Sequence, residues 1–211
     1  TVRQLAQRRV TERLPMAYLL GRCAFMGLDF YVQPGVIIPR SPIGYLLGPG
    51  LTSWLPDPPK RVLDLCTGSG CLGILAALHY VEAEVTVIEL DAAAVRVAKQ
   101  NIALHDLAHR VELVQGDATK ILPTLTPGWD LIISNPPYVN AEDMQDLPQE
   151  YQHEPELGLA GGDDGLALID AFMPELTHQL SPNGIFVGEV GASAAMMAQK
   201  YAHMPLQWLE L

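Results

Sequence analysis

Asp64-Leu65-Cys66-Thr67-Gly68-Ser69-Gly70-Cys71-Leu72-Gly73 is the stretch on which the fold turns. It closes a short apolar run, residues 61–65, and opens a helical period over about 71–80. Its glycines therefore sit at a strand-to-helix turn, where the missing side chains let a ligand approach the backbone. Outward from this loop the alternation repeats. Apolar runs at 61–65, 85–90, 111–114, 131–134 and 184–190 are separated by helical periods at about 71–80, 92–105, 165–180 and 192–201, with Asp164 as an N-cap candidate for the third. That order predicts an α/β fold, a mostly parallel Rossmann-like sheet with helices on both faces. Before it, a helix ends near Pro15, and two β-rich runs, 17–20 and 30–32, flank Gly21 and Gly27 as a hairpin would. The expected division is 1–38 as helix remnant and hairpin linker and 39–211 as the catalytic domain, with Trp208-Leu209-Glu210-Leu211 as one more strand.

Gly68, Gly70 and Gly73 satisfy G-x-G-x-x-G, a pattern that by itself points to a nicotinamide or flavin dinucleotide. Asp64 shifts the balance. A carboxylate beside the loop repels a pyrophosphate but attracts the methionyl ammonium of S-adenosylmethionine, so the loop residues Thr67, Gly68, Ser69 and Gly70 are read as contacts for that cofactor. Glu89, which ends the second run, is placed to accept hydrogen bonds from two ribose hydroxyls, a need both cofactor classes share. Asp117 has two readings, acceptor for an adenine amino group or cap of the next helix.

Asn135-Pro136-Pro137-Tyr138 follows the fourth run and reaches the same sheet edge as the glycine loop. Two prolines fix φ and donate no N–H, so the Pro136 carbonyl is left to accept from a substrate. With the Asn135 side-chain carbonyl it can hold both hydrogens of a planar –NH₂, while Tyr138 covers one face of that group. These residues are read as the catalytic and substrate-binding set, together with Pro137 and with Arg40, for which a structural ion pair is the competing reading. The following segment, 136–164, is rich in Pro, Glu, Asp and Gly and has the length of a ligand-binding loop. His153 reads as an exposed or substrate-facing polar residue, and Met196, Met197 and Trp129 as core or interface residues. Nucleophilic use of Cys71 has no basic neighbour in sequence to support it.

A formal net charge of −11 over 211 residues argues against a phosphate backbone as partner and favours a basic protein. Cys23, Cys66 and Cys71 form no Cys-x-x-Cys pair, so a reduced, cytoplasmic setting without a metal is expected. No run approaches a membrane span, and residues 1–4 lack the plan of a secretory signal.

The glycine loop and the Asn-Pro-Pro-Tyr segment together resemble the class I methyltransferases, and within them the protein N(5)-glutamine methyltransferases of the HemK and PrmB type. Residues 18–32, Val36-Ile37-Ile38-Pro39-Arg40-Ser41-Pro42-Ile43-Gly44, 141–144 and 153–160 look like the branch that acts on ribosomal protein L-three. The resemblance implies methylation (EC class 2.1.1) of a glutamine side-chain nitrogen in that protein, with S-adenosylmethionine as donor. Three departures carry expectations. Only one helix, within 1–14, precedes the hairpin where the family has a helical substrate-binding domain, which implies weaker substrate affinity. The family's sheet ends in an antiparallel hairpin, whereas Leu211 falls after its first strand. Tyr45 replaces an acidic residue, an expected weakening, and Cys66 replaces the first loop glycine, tolerated because cysteine is small. The rival readings are an adenine amino methyltransferase of DNA or RNA, a dinucleotide-dependent oxidoreductase, and a truncated cofactor-binding protein without turnover.

Overall fold

The computed structural model describes residues 1–210. Helix α1 (Val2–Thr11) opens on a capping box: the Thr1 hydroxyl accepts from the Gln4 N–H, and the Gln4 side chain accepts from the Thr1 ammonium. The apolar run 17–20, expected as a strand, is helical. Helix α2 (Met16–Leu20) starts after Pro15 and stops at Gly21, which is left-handed with φ 67°. The hairpin forms one segment later, from β1 (Arg22–Phe25) and β2 (Leu28–Tyr31). Its two-residue turn, Met26-Gly27, has φ 49° and 78°, as a type I′ turn requires. Buried Asn101 clips the hairpin to the domain, accepting from the Tyr31 N–H and donating to the Tyr31 and Ser69 carbonyls.

A strap without helix or strand, residues 32–42, leads to α3 (Ile43–Leu46). The alternating part then runs β3 (Arg61–Leu65), α4 (Cys71–His79), β4 (Glu84–Glu89), α5 (Ala92–Leu104), β5 (Val111–Gln115), α6 (Ala118–Ile121), β6 (Trp129–Ser134), α7 (Asp143–Asp146), α8 (Ala167–Gln179), β7 (Leu180–Gly188) and α9 (Ala194–Lys200). Strand β7 begins earlier than the expected 184, because it already pairs with β6 at Trp129–Leu180, ahead of an irregularity after which the register resumes at Leu131–Ile185. Asp164 accepts from the Leu166 N–H, one residue ahead of α8, and so steadies the entry to that helix. Residues 205–210 carry no regular structure, so the strand expected from Trp208 is not formed there; Leu211 lies outside the described residues.

All five strands of the main sheet are parallel, in the order β5-β4-β3-β6-β7. The central strands β4, β3 and β6 are buried on both faces, which is why they read as largely apolar runs. Val62, Val85, Val87, Leu131 and Ile133 face the layer of α3, α4, α5 and the hairpin; Leu63, Leu65, Ile88 and Ile132 face the layer of α8 and α9. Each such side chain stabilises the fold by about 1.5–3 kcal/mol. Phe25 and Phe30 of the hairpin belong to the first layer, so the core runs across the boundary expected at 38. The chain turns back between β3 and β6, and the crevice at the carboxyl ends of these two strands is where an open α/β sheet receives ligands. Among the described residues no helix is long and apolar enough to cross a membrane.

Candidate active site

A cavity lies at that crevice. Its wall includes Thr67, Gly68 and Ser69 after β3, Glu89 at the end of β4 and Asp91 after it, Asp117 after β5, and Asn135 and Pro137 after β6. The strap contributes Val36 to Ser41, and the long loop contributes Pro155, Leu157 and Gly158. Sequence-predicted residues thus converge, although Asp64, Gly70, Pro136 and Tyr138 adjoin the lining residues without lining the cavity themselves.

Asp64 is completely buried under the loop. Its Oδ2 accepts from the Thr67 hydroxyl and, at 2.9 Å, from the Gly73 N–H, while Oδ1 has no partner among the described residues. Burial pushes its pKa up to about 7, against the two hydrogen bonds, and nearby Glu89 adds to the rise. Glu89 organises the loop from the other side. Its oxygens accept from the Gly68 N–H at 2.7 Å and the Asp91 N–H at 2.8 Å, each oxygen keeping a lone pair, and burial raises its pKa. Asp91 caps α5 through the Ala93 and Ala94 N–H groups. Asp117 takes the capping reading: it accepts from Thr119 and pairs with Lys120 at 3.1 Å, interactions that lower its pKa, while still bordering the cavity.

The loop glycines divide by task. Gly68 (φ 59°) has open space where a Cβ would be, as a ligand-facing position needs. At Gly73 a Cβ would lie 2.4 Å from Val87 Cγ1, so that glycine serves helix-on-sheet packing. Cys66 is left-handed, with φ 61°, so size is not the main reason a glycine suits this position; backbone conformation is. Cys71 is buried at the start of α4, and burial pushes its thiol up to about 12, the opposite of an activated nucleophile.

Asn135 is half-buried on the cavity wall, and among the described residues neither its side-chain amide nor the Pro136 carbonyl has a hydrogen-bond partner. Tyr138 is held tightly. Its backbone is enclosed by Gly161 and Gly165, where a Cβ would come within 2.7 Å of Tyr138 Cα and 2.4 Å of its carbonyl oxygen. Its ring lies 2.6 Å from the Cβ that Gly191 lacks. The Tyr138 hydroxyl donates to Glu189 Oε1 at 2.5 Å; burial and this bond raise its pKa. Sequence reading missed Glu189, whose partners are 51 and 148 residues away.

Arg40 borders the cavity, but its guanidinium is engaged. Nη1 donates to both oxygens of buried Glu154, at 2.7 and 2.9 Å, and the group stacks 4.9 Å from the Tyr151 ring centre. Glu154 also accepts from the Ile38 N–H at 3.1 Å, tying strap to long loop. His153 faces away from the cavity to the Glu12 carbonyl, 2.9 Å from its Nε2, and neighbouring Glu150 pairs with Arg9 and Arg13. Tyr45 is 72% exposed. Trp129 and Met197 are core residues, whereas Met196 is exposed.

A parallel sheet in this order, with a glycine loop and an acid-ended strand bordering one cavity at its switch point, defines a class I, Rossmann-like methyltransferase fold. Comparison with known proteins agrees: residues 50–152 match the methyltransferase small domain family. Solved structures with this fold include the hMettl16 catalytic domain in complex with MAT2A 3'UTR hairpin 1, at TM-score 0.64 and 14% identity over 97% of this chain and 83% of that one. The chain is 44% identical to the ribosomal protein uL3 glutamine methyltransferase of Bordetella pertussis (strain Tohama I) over 99% of its own length and 70% of the relative's. It is also 44% identical to the protein of the same name from Burkholderia pseudomallei (strain K96243), over 96% and 68% respectively. The chain belongs to the ribosomal protein uL3 glutamine methyltransferase family.

Proposed function

We propose that this enzyme transfers a methyl group from S-adenosylmethionine to the side-chain amide nitrogen of a glutamine in ribosomal protein uL3. The observation that carries the reading is the pair of acceptors without a partner among the described residues, the Asn135 side chain and the Pro136 carbonyl, at the carboxyl end of β6 beside the cavity. Two acceptors suit a primary amide, which has two N–H donors. Holding both fixes the plane of the amide, and the same two bonds strengthen as positive charge develops on nitrogen. No strong base is required, because the proton leaves after the N–C bond has formed.

The cavity residues fit the donor. S-adenosylmethionine, when bound, supplies an electrophilic methyl on a sulfonium. Asp64, with one oxygen unpartnered, places a carboxylate under the loop suited to an ammonium. Glu89 retains lone pairs for ribose hydroxyls, Thr67, Gly68, Ser69 and Gly70 shape the loop, and Asp117 borders the cavity where an adenine amino group can be received. Pro137 lines the cavity, the adjacent Tyr138 ring flanks the substrate slot beside it, and Arg40 borders the cavity while paired with Glu154. Residues 39–211 form the catalytic domain in this reading, while 1–38 supply the first helices, a hairpin packed on its core and the start of the strap that lines the cavity. The net charge of −11 suits a basic protein substrate better than nucleic acid.

The test is incubation with labelled S-adenosylmethionine and purified uL3, a release factor and DNA, followed by mass spectrometry. A methyl group on a uL3 glutamine is expected. Label on an adenine base, or on the release factor alone, overturns the substrate assignment.

A further inference from the structure

Glu189 follows β7 and touches the two walls between which a substrate would sit. Its Oε1 accepts from the Tyr138 hydroxyl at 2.5 Å, and its Oε2 accepts from the Ser41 hydroxyl at 2.6 Å. Its own N–H is fixed to the Ser134 carbonyl at 3.0 Å, one residue before Asn135. Ser41 is only 2% exposed and begins the turn into α3, where its oxygen also receives the Ile43 N–H at 3.3 Å. One carboxylate thus joins the strap, the Asn-Pro-Pro-Tyr segment and the end of β7.

We propose that Glu189 is a positioning residue for methyl transfer, a clamp that locks the Tyr138 ring to the strap and so presets the slot in which the amide is held. The inference rests on the function proposed above. A carboxylate suits the task because both partners are hydroxyl donors and it offers an acceptor to each. An amide cannot accept from both in the same way. The Tyr138 hydroxyl is occupied by this bond, so Tyr138 acts on the substrate through its ring. Glu189 is absent from the cavity wall, which separates its effect from cofactor binding. Misplacement of a positioning wall by about 1 Å can cost up to about 100-fold in rate.

The experiment is steady-state methylation of uL3 by the full chain and by Glu189→Ala, Glu189→Gln, Tyr138→Phe and the Glu189→Ala/Tyr138→Phe double variant. Cofactor affinity is measured by calorimetry and folding by circular dichroism. Expected are falls in kcat of about tenfold for Glu189→Ala and Tyr138→Phe, a smaller fall for Glu189→Gln, and no further loss in the double variant, with cofactor Kd within about twofold of the parent. Folded Glu189→Ala and Glu189→Gln with parental kcat and KM overturn the clamp, as do losses that multiply in the double variant. If Glu189→Ala fails to fold, Glu189→Gln against Tyr138→Phe decides on the same criterion. A parent that leaves uL3 unmethylated defeats the functional reading instead, so the two failures are distinct.

Discussion

Replacing Gly73 with alanine separates two readings of the glycine loop. If the third glycine served ligand approach, alanine would weaken cofactor binding and leave the fold intact. The structure puts the new Cβ 2.4 Å from Val87 Cγ1 and 3.2 Å from Asp64 Oδ2. Carbon atoms rest at about 3.5–4.0 Å, so the overlap exceeds about 1 Å, and Val87 is fully buried with nowhere to retreat. Overpacking of this kind costs about 1–3 kcal/mol, offset by about 0.5–1 kcal/mol because alanine is the better residue inside a helix. The net loss centres on about 1 kcal/mol and reaches at most about 2.5 kcal/mol, which for a chain of this size corresponds to a fall in Tm of roughly 2–4 °C at the centre and up to about 10 °C. Thermal unfolding followed by circular dichroism measures it. The same substitution made on top of Val87→Ala should cost little, because the clashing methyl is gone. A Gly73→Ala chain that melts at or above the parent temperature, or that loses the same stability with and without Val87, refutes the packing argument.

The other expectations concern the site. Asn135→Ala should lower kcat for uL3 by about 100-fold while leaving cofactor Kd within about threefold, read by methyl incorporation and calorimetry; undiminished turnover removes the two-acceptor clamp. Asp64 has a folded-state pKa raised to about 7, above its unfolded value of about 3.9, so it binds its proton more tightly in the folded chain. Its contribution to the stability of the ligand-free protein is complete below about pH 4 and is lost as pH rises through 7. Urea titrations across that window should show the decline, and Asp64→Asn should flatten it. A bound ammonium would favour the charged carboxylate, so cofactor binding near pH 7 should release protons, detectable by calorimetry in buffers of different ionisation enthalpy. Arg40→Ala leaves buried Glu154 with only the Ile38 N–H and should cost about 1–3 kcal/mol in urea unfolding, much of it recovered by adding Glu154→Gln.

The sheet was legible because burial on both faces keeps the central strands mostly apolar, as in Val62, Leu63 and Leu65 around the single carboxylate of Asp64. The cavity followed from the same reading, since β3 and β6 end beside each other and carry the two motifs. Residues 17–20 misled because four apolar residues have no measurable period; Pro15 before them and Gly21 after them were the helix signals. Short helices such as α3, α6 and α7 span about one turn each, too little for a periodic pattern. Asp117 and Arg40 show a different limit, because a carboxylate or guanidinium gives the same sequence signal whether it meets a ligand or a neighbour. The competing structural readings, cap and ion pair, describe their contacts. Glu189 was out of reach, since nothing near it in sequence marks a residue whose partners arrive from opposite ends of the chain.

That long reach bears on when the molecule becomes an enzyme. The Ser41–Glu189 bond closes 148 residues and the Arg40–Glu154 pair closes 114, while no two neighbouring strands of the main sheet are joined by a tight turn. Such contacts form late, because loop closure must precede any energetic return from them, and parallel sheets are slow for the same reason. Helices α4 and α5 can flicker into existence early; the slot between strap and Tyr138 cannot. During synthesis, a chain emerging in order has its glycine loop long before residue 189 is available to join the walls. Catalytic competence is therefore expected as a last, cooperative event, with no half-built site able to act on a substrate beforehand.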